Sequence, residues 1–296
     1  MKSLTNFLSH SAFALVGLGI AAVPAHAINI TTTNDPNALV NQILGGGITV
    51  SNVTYNGAPA ASGIFTNGLS SGIGIDSGII LTTGDASLAV GPNSLPSSGV
   101  DNGLPGDTNL NSLIPGSTFD ATVLEFDFIS ETGDLFFNYV FASEEYNEFT
   151  NSSFNDVFAF FLNGENIALI PGTTTPVSIN NVNGGNPLGV DASNPAFYIN
   201  NDTGAFNIEY DGFTTVFTAQ ATGLVAGSTN RIKLAIADVG DNVLDSAVFI
   251  QASTFSGTPT QPVPEPTTML GLLAFGAIGA TTALKRNQQQ KAVAKV

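Results

Sequence analysis

The chain has no cysteine and no tryptophan, and both of its histidines, His10 and His26, fall within the first 27 residues. Without cysteine no disulfide can staple the fold, so a hydrophobic core must hold it. Without histidine or cysteine beyond residue 27, Ser-His-Asp and Cys-His hydrolysis are excluded there, as are zinc sites built on those ligands. Positive charge is equally scarce. Between Ile28 and Ser256 the only bases are Arg231 and Lys233, against 22 of the chain's 23 acidic residues. Phosphate binding needs a basic surface, so nucleic acid is not an expected partner. The excess of acid repels itself, a strain that divalent cations relieve.

What is present begins with the two ends. Lys2 precedes a short apolar run, Ala12 to Ala22, and Pro24-Ala25-His26-Ala27 follows. The run is too short to span a bilayer, and Ala25 and Ala27 supply the small-x-small pattern of a signal peptidase site. Residues 1–27 therefore read as a secretory signal cleaved after Ala27. Residues 257–263 form a Pro/Thr/Gly linker with nothing to pack. Thr267 to Leu284 then runs 18 residues without a charge and is followed at once by Lys285 and Arg286. That length suits a transmembrane helix, with its basic end cytoplasmic and the main domain outside.

Val263-Pro264-Glu265-Pro266, the apolar segment and the Lys285-Arg286 pair occur in the order of a PEP-CTERM sorting signal, which this tail (residues 264–296) resembles. The resemblance implies recognition by an exosortase, a membrane enzyme thought to cleave at the motif. It also implies a Gram-negative cell surface or biofilm matrix, with exopolysaccharide as a neighbour and the helix as a transient or permanent membrane anchor. More residues follow the basic pair here than in the usual signal.

Between the ends lie about 230 residues, the size of one β-sandwich domain (28–256). Asn34-Asp35-Pro36 offers a helix cap and a proline for the first turn. Ala38, Leu39, Val40, Ile43 and Leu44 recur at helical spacing until Gly45-Gly46-Gly47. The rest reads as strands, over Ile48–Tyr55, Gly78–Thr83, Thr214–Ala221, Ile232–Ala237 and Ala247–Ala252. Leu124, Phe126 and Phe128 alternate with acids, and Leu135, Phe137, Tyr139 and Phe141 also recur at every second position. Both read as half-buried strands. Val157 to Leu162 (VFAFFL) is apolar throughout and predicts a strand covered on both faces. The expected fold is mainly β: an antiparallel β-sandwich of jelly-roll type, with one short N-terminal helix and the C-terminal transmembrane helix. Ser87 to Ile114 is a long Gly/Pro/Asn/Ser stretch with no recognisable motif.

Two acidic clusters stand out. Glu144 and Glu145 sit in FASEEYNEF with Asp156 soon after, and Asp238, Asp241 and Asp245 sit in ADVGDNVLD between two strands. Carboxylates, Asn side chains and carbonyls are the ligands of hard cations, so these six residues are candidate ligands for extracellular calcium. The alternative is that they are turn residues bonding their own backbone. A polysaccharide hydrolase would need a facing carboxylate pair. Adjacent Glu144 and Glu145 on a strand would point to opposite faces, which leaves Glu144 with Asp156 or Asp238.

Several strings in order, GIDSGIILTTGDAS (74–87), FASEEYNEF (141–149), NDVFAFFLNG (155–164), YDGFT (210–214) and IKLAIADVGDNVLDSAVFIQA (232–252), resemble the choice-of-anchor L domain. The resemblance implies an extracellular module joined to one of several sorting signals, and it carries no established activity. Many members have central cysteines, which are absent here. Taken together the expectation is an exported, non-catalytic surface or matrix protein. It would bind exopolysaccharide or a surface protein, or be purely structural, with the hydrolase as the rival reading.

Overall fold

The computed structural model describes residues 26–95 and 97–259. Ala25 and the signal core, Pro264-Glu265-Pro266, the expected helix at 267–284 and Lys285-Arg286 all lie outside the described residues. Thirteen strands and two helices run in the order β1 (Asn29–Thr32), α1 (Pro36–Ile43), β2 (Ile48–Asn56), β3 (Ser62–Thr66), α2 (Gly68–Ser71), β4 (Gly78–Thr82), β5 (Thr118–Ser130), β6 (Leu135–Ser143), β7 (Val157–Leu162), β8 (Glu165–Asn166), β9 (Tyr198–Asn200), β10 (Gly212–Thr214), β11 (Phe217–Ala221), β12 (Thr229–Val239) and β13 (Ser246–Gln251).

They form two antiparallel sheets. One has the order β1-β3-β4-β13-β6-β10-β9, with β11 also on β6, and the other is β2-β5-β12-β7-β8. The pairings β4 with β13 and β5 with β12 are the crossed pairings of a jelly roll. Sequence neighbours β3 and β4 pair directly, where a strict jelly roll would separate them.

The layer between the sheets is built from aromatic rings. Phe137 of one sheet meets Phe160 of the other at 4.9 Å between centroids, Tyr139 meets Phe158 at 5.3 Å, and Phe141 stacks on Phe158 at 5.1 Å. Leu39, Val40 and Ile43 of α1 join the same cluster. That helix forms where the sequence marks it, because Asp35 Oδ1 accepts from the N–H groups of Asn37 (3.0 Å) and Ala38 (3.4 Å).

VFAFFL is covered on both faces as expected. Phe158, Phe160 and Leu162 face the inter-sheet layer, while Val157, Ala159 and Phe161 belong to a second cluster closed by Leu110 and Ile114. The Ser87–Ile114 stretch is thus partly a lid over an outer sheet face. The half-buried reading of Leu135–Phe141 is corrected: β6 is buried on both faces, because Val140 and Ala142 join a third cluster with Ile73, Ile75, Ile208 and Phe213. The expected strand at Thr214–Ala221 is two strands. The register on β6 shifts by one residue between Phe213 and Phe217, the Thr215 N–H stays with the β9 side through Phe197 O (2.8 Å), and the Phe141 N–H is taken by the Thr214 hydroxyl (3.1 Å).

The C-terminal end of the domain is locked in. Phe255 bonds to the end of α1 through Ile43 O (2.9 Å) and from Gly45 N (2.8 Å), and Ser256 exchanges two backbone bonds with Phe136. With β1 paired to β3 at the other end, the segment carries its own closed core. The Phe255 ring packs edge-on against Phe126 and Phe128 and tilted against Phe137. Phe255→Ala is expected to cost about 3–5 kcal/mol in denaturant unfolding. Tyr139→Phe, which removes a buried hydroxyl without a hydrogen-bond partner, is expected to be neutral or stabilising in the same measurement.

Candidate functional site

The strand register decides where the acids go. Ser143 at the end of β6 faces Ser246 at the start of β13, Ala237 near the end of β12 faces Val157 at the start of β7, and Val239 faces Thr118 at the start of β5. The connections 144–156, 240–245 and 83–117 therefore meet at one end of the sandwich. Both acidic clusters lie there, joined by a bond from Glu144 N to Asp245 O (3.0 Å).

Asp238 is two residues beyond Ile236, which packs in the inter-sheet layer, and its carboxylate is buried (1% exposed). Opposite it the ladder slips, with Asp120 and Ala121 bulged out against Ala237. Asp120 takes a left-handed conformation (φ 46°), and its carboxylate accepts from the N–H groups of Asn102 (2.8 Å) and Leu104 (2.5 Å). Asp156 is satisfied as well. Its Oδ1 accepts from Val239 N (2.9 Å) and its Oδ2 from the Ser246 hydroxyl (2.7 Å), which also lies 2.8 Å from the Ser143 hydroxyl.

The others are not satisfied. Both carboxylate oxygens of Glu144 and of Asp238 lack a hydrogen-bond partner, as do Oε2 of Glu145 and Oδ2 of Asp245. Ser98 N–H approaches Glu144 and the Thr83 hydroxyl approaches Asp238, and each offsets a small part of the upward shift at its carboxyl. Asp245 Oδ1 accepts from Val100 N at 3.2 Å. Gly84 backs directly onto Asp245 Oδ2, where a Cβ would come within 1.6 Å of that oxygen.

Burial is the main cause of the electrostatics. It pushes Glu144 and Glu145 up to about 9, helped in Glu144 by Asp211, Glu209 and Asp245 and in Glu145 by Asp156 and Asp241. Asp156 and Asp245 are each pushed up to about 7, and Asp238, beside Asp156 and Asp245, is raised well above the ordinary carboxyl range.

Asp241 stands apart. It is half-buried, and its Oδ1 caps its own turn through Val243 N (3.3 Å). With Glu144, Glu145, Glu148, Phe149 and Phe154 it lines a cavity of about 370 Å³. Glu148 also reaches a second cavity of about 280 Å³, with Asn93, Asp202 and Asp211. There Asp211 accepts from Asn93 (2.6 Å) and is pushed up to about 6, chiefly by burial, while Glu209 accepts from Leu95 N (2.8 Å).

Sequence reading missed Asp120, Glu209 and Asp211 as members of this acidic end. The one signal available was the YDG string, whose Asp211 reads as a turn former before Gly212. Among the described residues no group of three or more Asp, Glu, His or Cys side chains forms a ready metal cage.

The family profile of the choice-of-anchor L domain matches residues 27–256, and that of the PEP-CTERM protein-sorting motif matches residues 262–287. The chain belongs to the choice-of-anchor L family. No curated protein and no solved structure matches it. This choice-of-anchor L chain is an exported protein associated with the cell surface, and its sorting motif implies processing by an exosortase.

The pKa values set a direction for stability. A carboxyl whose pKa is raised on folding holds its proton better in the folded state, so its stabilisation is complete below the ordinary carboxyl range and is lost as pH rises through the folded value. In metal-free buffer the melting temperature is expected to fall as pH climbs through 6–7, where Asp211, Asp156 and Asp245 ionise, and again towards 9 with Glu144 and Glu145. Glu144→Gln with Glu145→Gln is expected to flatten the upper part of that profile in a thermal melt series.

Proposed function

We propose that the protein is a non-catalytic module displayed at a bacterial cell surface or in the extracellular matrix, where its acidic loop end meets exopolysaccharide or another surface protein. The observation that carries this reading is a domain with its own closed core, matched as choice-of-anchor L, followed directly by a sorting motif. The apolar segment after the motif would anchor the chain in the membrane before processing, in a Gram-negative envelope that carries an exosortase. The two cavities sharing Glu148, rimmed by Phe149 and Asp202, offer a partner a concave surface.

The hydrolase reading has less support. It needs two carboxylates open to one cleft, one to protonate the leaving group and one to attack or activate water. Of the pairings that sequence allowed, Glu144 lines a cavity, but neither Asp156 nor Asp238 lines either one, and both oxygens of Asp156 are engaged by donors.

In a host that carries an exosortase, the domain is expected at the cell surface or in the medium, at a mass below that of the precursor. Replacing Pro264, Glu265 and Pro266 together by alanine should leave it at precursor mass in the membrane fraction. A cytoplasmic wild type, or unchanged processing of the variant, would sink the display reading. Incubation of the purified domain with the host's exopolysaccharide should release no reducing ends, and release abolished by Glu144→Gln would restore the hydrolase.

A further inference from the structure

The buried acids at the loop end pose a physical problem that the fold itself leaves open. Asp238 and Glu144 are each 1% exposed and Asp245 is 2% exposed, yet five of their six carboxylate oxygens have no hydrogen-bond partner among the described residues. Unpaired buried carboxylates are among the most unfavourable groups a protein can hold. Among the described residues no base relieves them. Arg231 is committed to Glu125 and Asp127 on the outer face of the second sheet, and Lys233 to Asp107.

The arrangement has inner and outer parts. Asp156 and Asp120 have their oxygens filled by N–H and O–H donors, so they are fixed and contribute field. Asp238 and Asp245, close enough for each to feel the other's charge, hold three unpartnered oxygens. Gly84, whose lack of a side chain leaves room for Asp245 Oδ2, borders the same space. Glu144 and Leu244, the sequence neighbour of Asp245, line the cavity of about 370 Å³ at the same end of the sandwich.

We propose that Asp238 and Asp245 bind one divalent cation of the calcium type at the loop end of the sandwich. The donors available are carboxylates, hydroxyls and carbonyls, since residues 28–256 contain neither histidine nor cysteine. That set suits a hard cation. Two carboxylates do not fill a calcium shell of six to eight oxygens, so neutral oxygens such as the Thr83 hydroxyl, together with water, complete it. Glu144, Glu145 and Asp241, which sequence alone groups with these ligands, line the open cavity and lie outside the proposed shell.

The test is thermal unfolding of residues 27–259 in EDTA and then in millimolar calcium, for the wild type, for Asp238→Asn with Asp245→Asn, and for Glu165→Gln as an exposed control. The wild type and the control should gain roughly 5 °C or more, saturably. The double variant should melt in EDTA at or above the wild type, because it has lost two buried acids short of hydrogen-bond partners, and should not respond to calcium. A wild type indifferent to calcium, or a double variant that responds equally, overturns the site. The carboxyls would then be held as protonated acids. If the double variant does not fold, calorimetric titration of the wild type decides: heat saturating at one calcium per chain upholds the site, and no heat overturns it. Surface display is decided separately, by fractionation, so either reading can fail without the other.

Discussion

The contact between the two sheets is the constraint on which the rest depends. With no disulfide available, the domain is held by burial, and the inter-sheet layer achieves it with rings: Phe137, Tyr139 and Phe141 of β6 against Phe158 and Phe160 of β7, with Phe255 closing the far end on Phe126 and Phe128. Edge-on and tilted ring pairs add orientation to area, so the sheets have few alternative ways to seat. Because a slip of one residue would turn every ring outward, the layer also fixes strand register.

Register in turn creates the acidic end. The strands flanking 144–156 and 240–245 are neighbours in space only because β6 pairs with β13 and β12 with β7. Once that pairing is set, Asp156, Asp238, Asp245 and Glu144 are drawn under the loops whether or not it is locally favourable. Some of the cost is met by donors, as at Asp156 and Asp120, and some is not, as at Asp238 and Glu144. A fold that is locally consistent nearly everywhere and conflicted at one end places its conflict where a ligand or a proton has to resolve it.

Much of the fold was legible along the chain. The α1 cap, the doubly covered VFAFFL strand and the alternating Leu124–Phe128 segment are local patterns, and each formed where its residues pointed. Illegible were features that depend on what lies above a strand. β6 carries the same alternation as β5, yet is covered on its second face by segments from residues 73–75 and 208–213. The short strands β1, β3 and β9 lack a distinctive run and owe their existence to a partner's free edge. In the site, the six acids chosen from sequence do converge on one end, but they divide in role. Asp241 caps a turn, Glu145 opens to a cavity, Asp211 arrives from a segment that reads as a turn, and Asp120 from a bulge in β5.

By itself the sequence determined composition-level facts: a disulfide-free, acid-rich β domain without histidine or cysteine chemistry, joined to a sorting motif. These follow from residue identity and order, which need no partner. Tertiary structure decided which carboxylates are buried, which have donors and which are left facing one another. That outcome depends on cross-strand register and loop coverage between residues far apart in the chain, 163 positions in the case of Thr83 and Ser246, and no local pattern carries that information.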